Sequence, residues 1–173
     1  MHRTALVRDA EPADLAAIRR IYNEGIEDRV ATLDEEPKDE AEMLAWWSDH
    51  AGRYAVLVAE DQAHDVIGWA SLNPYSHRCA HRGIADLSVY VARSARGTGI
   101  ASALLEQLEQ RATSEGFHKI VLFMLQLNEP ARALYTKFGY RDIGVFREQG
   151  LLDGRFVDVT AMEKLLVARS RTP

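Results

Sequence analysis

A mixed α/β sheet covered by helices on both faces is the architecture predicted for this chain, on three observations. Apolar periodicity runs in the order strand, two helices, three strands, then a strand–helix alternation and two closing strands. The early strands are joined by polar turns and the later ones by a helical crossover, so mostly antiparallel pairing is expected, with a parallel pair at the crossover. The 173 residues, 47% hydrophobic and 27% charged, suit one domain with a sizeable core. That domain is expected to span residues 1–166, followed by a polar tail over 167–173.

Ala5–Arg8 reads as the first strand, and Asp9-Ala-Glu-Pro12 as a helix start, followed by Leu15, Ile18 and Tyr22 at helical spacing. Gly25 is the expected break of that helix. After the acidic turn Leu33–Pro37, a second helix over Lys38–His50 carries Met43, Leu44, Trp46 and Trp47, the tryptophans being either core or pocket wall. Tyr54–Glu60 and Val66–Leu72, around the polar turn Asp61–Asp65, read as an antiparallel hairpin. In the next strand, Ile84–Val91, alternation puts Asp86, Ser88 and Tyr90 on one face and Leu87, Val89 and Val91 on the other. A helix after Gly99 carries Leu104, Leu105 and Leu108. An apolar strand over His118–Leu127, a short helix near Pro130–Phe138, and strands around Gly144–Gln149 and Phe156–Leu165 complete the chain.

Composition narrows the function. The net charge of −5 argues against a duplex nucleic acid partner, whose affinity rests on neutralised phosphates. No apolar run approaches the ~20 residues that cross a bilayer, so no membrane association is expected, and the expected compartment is the cytosol. The one cysteine, Cys79, cannot form an internal disulfide. Arginines cluster at Arg78/Arg82 and Arg93/Arg96. Guanidinium is the better bidentate partner of carboxylate and phosphate groups, so both clusters are candidate anion sites.

The most informative segment is Val89–Ser102, in which a strand passes through a short loop, Arg96-Gly97-Thr98-Gly99, into a helix. First-turn amides and the positive end of the helix dipole can cradle a diphosphate where small residues admit it, and Gly97, Gly99 and Ala101 supply that smallness. An ATPase-type phosphate loop would need Lys and then Ser or Thr after the last glycine, but Ile100 and Ala101 stand there. A dinucleotide fingerprint would need glycine at position 102, which is serine. Coenzyme A is the remaining class.

The loop is similar to the Gln/Arg-x-x-Gly-x-Gly/Ala pattern of the GNAT superfamily of acyl-CoA-dependent N-acetyltransferases, met by Arg96-Gly-Thr-Gly-Ile-Ala101. The resemblance covers most of the chain and sharpens to the phosphinothricin acetyltransferase-like branch. It is carried further by Ile21–Pro37, by Arg78 to Arg82, by Asp86-Leu-Ser-Val-Tyr-Val91 and by Asn128–Tyr140. It implies a central sheet splayed at the acyl-CoA site. It also implies acetyl-CoA as cosubstrate, its pantetheine along Leu87, Val89 and Val91 beside Asn128. Its diphosphate would lie on the amides of Gly97, Thr98, Gly99, Ile100, Ala101 and Ser102, with Arg96 near the phosphates.

The resemblance further places Asp86 where the branch usually carries a glutamate general base, one methylene longer; a hydrogen bond to a neighbouring turn is the alternative role, and His81 the reserve base. An amine attacks only when neutral, so some group must take its proton. Tyr135 stands at the spacing of the residue that protonates the departing thiolate, or else it packs between Leu134 and Phe138. Arg78 and Arg82 belong to the implied substrate pocket, as a fork for carboxylate, phosphinate or arsonate. Thr32, Trp46 and Trp47 would complete the pocket. His77, Cys79 and His81 can share a face of an extended chain as zinc donors, but the neighbouring arginines oppose a cation and a fourth ligand is not evident, so no metal is expected.

The reading is therefore an acetyl-CoA-dependent N-acetyltransferase acting by direct attack on the α-amino group of a small anionic amino acid or its analogue, in a homodimer such as the resemblance implies. A protein N-terminal or other amine acetyltransferase, and a non-catalytic acyl-CoA-binding sensor, are the alternatives.

Overall fold

The computed structural model describes residues 5–166, so the expected tail over 167–173 lies outside the described residues. Seven strands and four helices follow one another as β1 (Leu6–Asp9), α1 (Leu15–Glu27), α2 (Glu40–Asp49), β2 (Val56–Glu60), β3 (Val66–Pro74), β4 (Ile84–Val91), α3 (Ile100–Ser114), β5 (Lys119–Leu125), α4 (Glu129–Lys137), β6 (Arg141–Leu152) and β7 (Arg155–Leu165). They form one sheet in the order β1-β2-β3-β4-β5-β7-β6. Every neighbouring pair is antiparallel except β4–β5, which the α3 crossover makes parallel.

Alternation along β2 sorts the core into two layers. Leu57 and Ala59 point to the face covered by α3, with Leu104, Leu105 and Leu108, while Val56 and Val58 point to the face covered by α1 and α2, with Ile18, Ile21 and Met43. All three α3 leucines are fully buried, and each contributes about 1.5–3 kcal/mol of transfer free energy. Local signals set the helix ends. Asp39 and Glu42 close a reciprocal capping box before α2, at 2.9 Å each way. Arg8 ties β1 to the turn before α1 through paired bonds to Asp14 at 2.8 and 3.0 Å, and its Nε donates to Glu60 of β2 at 2.7 Å.

One expectation is corrected. Gly25 does not break the first helix but lies inside α1, buried. A Cβ at this position would lie 3.1 Å from the Tyr90 ring. The glycine is there for close approach between α1 and β4, a long-range demand that its local sequence does not show.

Candidate active site

The parallel pair β4–β5 is joined only at its start, at Ile84↔Lys119 and Ala85↔Ile120. Beyond those residues the strands diverge, and the edge of β4 from Asp86 onward that faces β5 has lost its strand partner. Backbone amides and carbonyls left so must find partners elsewhere, and an extended ligand carrying its own amide groups supplies them.

At the far end of β4 the chain turns through Gly97 (φ +74°) and Gly99 (φ +93°), left-handed conformations that disfavour a side chain, and enters α3 at Ile100. Thr98 fastens the turn, its hydroxyl donating to the Ala95 carbonyl at 2.6 Å. The first intrahelical bond runs from Ala103 to Gly99, so the amides of Ile100, Ala101 and Ser102 are left for a ligand. These residues wall a cleft of about 670 Å³. Val89 and Val91 line its β4 side, Asn128 and α4 the opposite side, and Arg96 its mouth. Asn128 also caps α4, its amide oxygen accepting from Ala131 at 3.2 Å.

A second cleft of about 240 Å³ adjoins the first and shares Val89, Asn128 and Tyr135 with it. Asp86, Leu87, Ser88 and Thr32 line it, with Phe123, Met124, Leu125 and Val159 as an apolar wall. Burial pushes the Asp86 carboxyl up to about 6, against the pull of the Leu87 amide, which donates to it at 2.7 Å, and of the Asn73 amide. Such a group is ionised at neutral pH yet close enough to it to accept a proton, which is the range a general base needs. Burial likewise pushes the Tyr135 phenol well above its ordinary value, reinforced by the charge on Asp86.

Of the residues expected at the site, Asp86, Tyr135, Leu87, Val89, Val91, Asn128, Thr32, Arg96, Gly97, Gly99, Ile100, Ala101 and Ser102 line one or both clefts. Thr98 acts through the turn. Arg78 and Arg82 are exposed, flanking a short 3-10 turn over Cys79–His81, and line neither cleft. His81 sits in that turn with its ring 5.5 Å from that of Tyr75. Trp46 packs on Trp69 at 5.4 Å and, like Trp47, belongs to the core rather than to these clefts. Arg93 is drawn away by Glu27 and Asp28 at 3.1 and 2.8 Å. A residue missed from sequence is Asp28, on the wall of the larger cleft. Burial works upward on its carboxyl, but the hydrogen bonds from Arg93 and Arg96 prevail and hold it below the usual value. The acid run Glu24-Gly-Ile-Glu-Asp28 gives no sign that it meets the arginine loop.

A strand edge without a partner, a glycine loop with free helix amides at one end and a raised carboxyl at the other fit an acyl-CoA-dependent acyltransferase. The comparisons agree with that class. The model of the acetyltransferase (GNAT) family matches residues 16–140, and the chain belongs to this family. An L-methionine sulfoximine/L-methionine sulfone acetyltransferase of Pseudomonas aeruginosa is 35% identical over 161 residues, 92% of this chain and 94% of that protein. The crystal structure of a GNAT superfamily phosphinothricin acetyltransferase from Sinorhizobium meliloti in complex with AcCoA superposes with a TM-score of 0.92 at 35% identity, covering 98% of this chain and 92% of that one. A ribosomal-protein-alanine N-acetyltransferase from Brucella melitensis gives 0.89 at 33% identity, over 92% and 99%.

Proposed function

We propose that the chain transfers the acetyl group of acetyl-CoA to the α-amino group of a small anionic amino acid or analogue, of the phosphinothricin, methionine sulfoximine, methionine sulfone or arsonate type. The observation that carries the reading is the raised Asp86 carboxyl lining the cleft that adjoins the anion loop and the unpaired β4 edge. In this reading the β4 edge along Leu87, Val89 and Val91 holds the pantetheine arm, Asn128 lies against it, and the amides of residues 97–102 with Arg96 hold the diphosphate. Asp86 takes the proton of the attacking amine, directly or through a water. Attack is direct on the thioester carbonyl: the C–N bond forms, the C–S bond breaks, and the Tyr135 hydroxyl donates to the departing sulfur. Thr32 lines the acceptor cleft; Arg78 and Arg82 flank the turn before β4, outside the cleft walls, and in this reading they reach the substrate's anionic group from there.

The enzyme works in this proposal as a cytosolic homodimer. The edge strand β6 exposes Ile143, Val145, Phe146 and Leu151, with the Phe123 ring 6.2 Å from that of Phe146 and Phe156 also exposed, apolar side chains that a second copy would cover.

Release of free thiol from acetyl-CoA, followed against phosphinothricin, methionine sulfoximine, methionine sulfone, glutamate, aspartate and a short peptide, tests the reading. Strong turnover of one amino acid analogue, with a KM raised by Arg78→Ala, supports it. Binding of CoA without turnover of any amine points to a sensor. A second reading, acetylation of a protein N-terminus, is favoured by one observation: Arg78 and Arg82 stand outside the walls of the clefts and leave the acceptor side open. In that case the peptide alone turns over.

A further inference from the structure

His50 follows the last turn of α2 and reaches across to β3. Its Nδ1 lies 2.7 Å from the Trp46 carbonyl oxygen, which holds the ring at the helix end. Its Nε2 lies 2.9 Å from the side-chain oxygen of Asn73, and the Ser71 hydroxyl donates to the same oxygen at 2.8 Å. A neutral imidazole donates from one nitrogen only, so with Nδ1 on the Trp46 carbonyl the Nε2 contact is a donation only from the doubly protonated ring, whereas the Ser71 hydroxyl holds that oxygen in either form. The other end of the amide faces β4, where its nitrogen donates to the Ser88 hydroxyl at 3.0 Å. Ser88 lines the acceptor cleft. Asp86, two residues earlier and on the same face, stands directly opposite Asn73 in the β3–β4 register. A helix end and a neighbouring strand, neither of them holding a reacting group, thus converge on one amide beside the candidate base.

We infer that Asn73 is a positioning residue that orients the Asp86 carboxyl and the Ser88 hydroxyl in the acceptor cleft, and that His50 and Ser71 hold it in place. The inference rests on the reading of Asp86 as the base. Its physical content is simple. Two groups favour the carboxylate form of Asp86 against burial, the Leu87 amide and the Asn73 amide. The first is backbone and cannot be mutated away; the second is a side chain whose own orientation is set from α2. The other titratable side chains on this cleft are Tyr135 of α4 and Tyr90 further along β4, and β5 and β7 present only apolar ones. Asp86 is the one ionic group among the residues lining it. No second carboxylate or lysine lines the cleft, and His50, which meets Asn73 from behind, is the one further titratable side chain in the network, so the His50→Ala variant separates its contribution from that of Asp86.

The test is the pH dependence of kcat/KM for acetyl transfer by the full chain, with the melting temperature recorded for each variant. In Asn73→Leu the acidic limb, expected near pH 6 in the parent, moves up by about half to one pH unit, with the acetyl-CoA KM unchanged. The isosteric Asn73→Asp places a carboxylate opposite Asp86 and moves the limb further in the same direction, and it serves should the leucine variant not fold. His50→Ala gives a smaller upward shift, and adding it to Asn73→Leu moves the limb no further than Asn73→Leu alone. A limb that stays in place in the Asn73 and His50 variants, whatever happens to their kcat or stability, overturns the proposal. Asp86→Asn distinguishes its failure from that of the underlying reading. If Asp86→Asn keeps the parent's turnover and limb, Asp86 is not the base and the inference falls with it. If it loses turnover while the Asn73 and His50 variants keep the limb, the inference alone falls.

Discussion

Arg96 donates from Nη1 to Asp28 Oδ2 at 2.5 Å and from Nε to the Val91 carbonyl at 3.2 Å, so the loop's arginine is anchored to the end of α1 and to β4 at once. The anchor costs side-chain entropy before any ligand arrives and leaves the guanidinium at the mouth of the larger cleft with donors to spare. Arg96→Ala should then raise the acetyl-CoA KM about tenfold, the worth of one charge-assisted hydrogen bond, and leave kcat within about twofold. Steady-state kinetics at two salt concentrations check this, since the contact is with a charged group at the surface and weakens as salt rises. An unchanged KM would remove Arg96 from the diphosphate site.

Tyr135 presents a second case in which burial sets the chemistry. Its phenol is held well above its ordinary pKa, so it stays protonated at working pH and, in the proposed reaction, would donate to the sulfur on which charge develops. Tyr135→Phe should lower kcat about 100-fold with little change in the acetyl-CoA KM. Because a thiol that leaves easily needs no donor, a thioester with a more acidic thiol should narrow the gap between variant and parent. A variant with the parent's kcat would reduce Tyr135 to packing against Tyr140, whose ring lies 5.4 Å away.

The parts of the molecule legible from sequence are those encoded over a few neighbouring residues. Alternation in β4 separates Asp86 and Ser88 from Leu87 and Val89, and the glycines at 97 and 99 mark the candidate anion loop. What could not be read depends on pairs far apart in the chain. Asp28 meets Arg96 across 68 positions, and His50 meets Asn73 across 23. Trp46 and Trp47 suit a core or a pocket wall by sequence, and the packing of Trp46 on Trp69 decides for the core. Arg78 and Arg82 stand four apart, a spacing suited to a fork, and the segment between them folds into a 3-10 turn outside the walls of both clefts, a placement that spacing alone does not reveal.

Gly25 tests how tightly α1 approaches the sheet. Alanine is the better helix former by about 0.8–1 kcal/mol, so in an exposed helix Gly→Ala would stabilise. Here the new methyl would lie 3.1 Å from a Tyr90 ring that cannot retreat, since it stacks on Trp69 at 5.0 Å and meets Tyr22 edge-on at 4.9 Å. Overpacking of this kind costs about 1–3 kcal/mol. Gly25→Ala should therefore be net destabilising by about 1 kcal/mol in urea unfolding. It should also raise the acetyl-CoA KM, because both residues line the larger cleft. A more stable variant would show that β4 yields there.

The apolar edge of β6 makes a prediction about assembly. If it is the face of a homodimer, Phe146→Glu places a charge where Phe123 and Phe146 rings stand 6.2 Å apart, and the protein should become monomeric at micromolar concentration by light scattering. The exposed Leu6→Glu change at the opposite sheet edge should leave the mass unchanged. A parent that is already monomeric removes the dimer.

Asp86 should show that activity and stability pull apart. Its carboxyl is raised from an ordinary 3.8 to about 6 by burial, so between those values the folded state holds a proton that the unfolded state has lost. The sign follows: stability contributed by this group is intact below about pH 4, declines as pH rises toward 6, and is flat above. Asp86→Asn carries no charge to bury and should be more stable than the parent at pH 7 by about 2–3 kcal/mol, at 1.4 kcal/mol per pKa unit. Near pH 4 the advantage should vanish. The same variant should lose turnover by about 10²- to 10⁴-fold while binding CoA as the parent does. Urea unfolding at pH 4 and pH 7, set beside turnover and CoA binding, measures both halves. A variant that is less stable at pH 7 would mean the carboxylate is satisfied by the Leu87 amide and the nearby Asn73 side chain and is structural, whereas one that gains stability and loses only turnover marks a charge kept in the cleft for its chemistry.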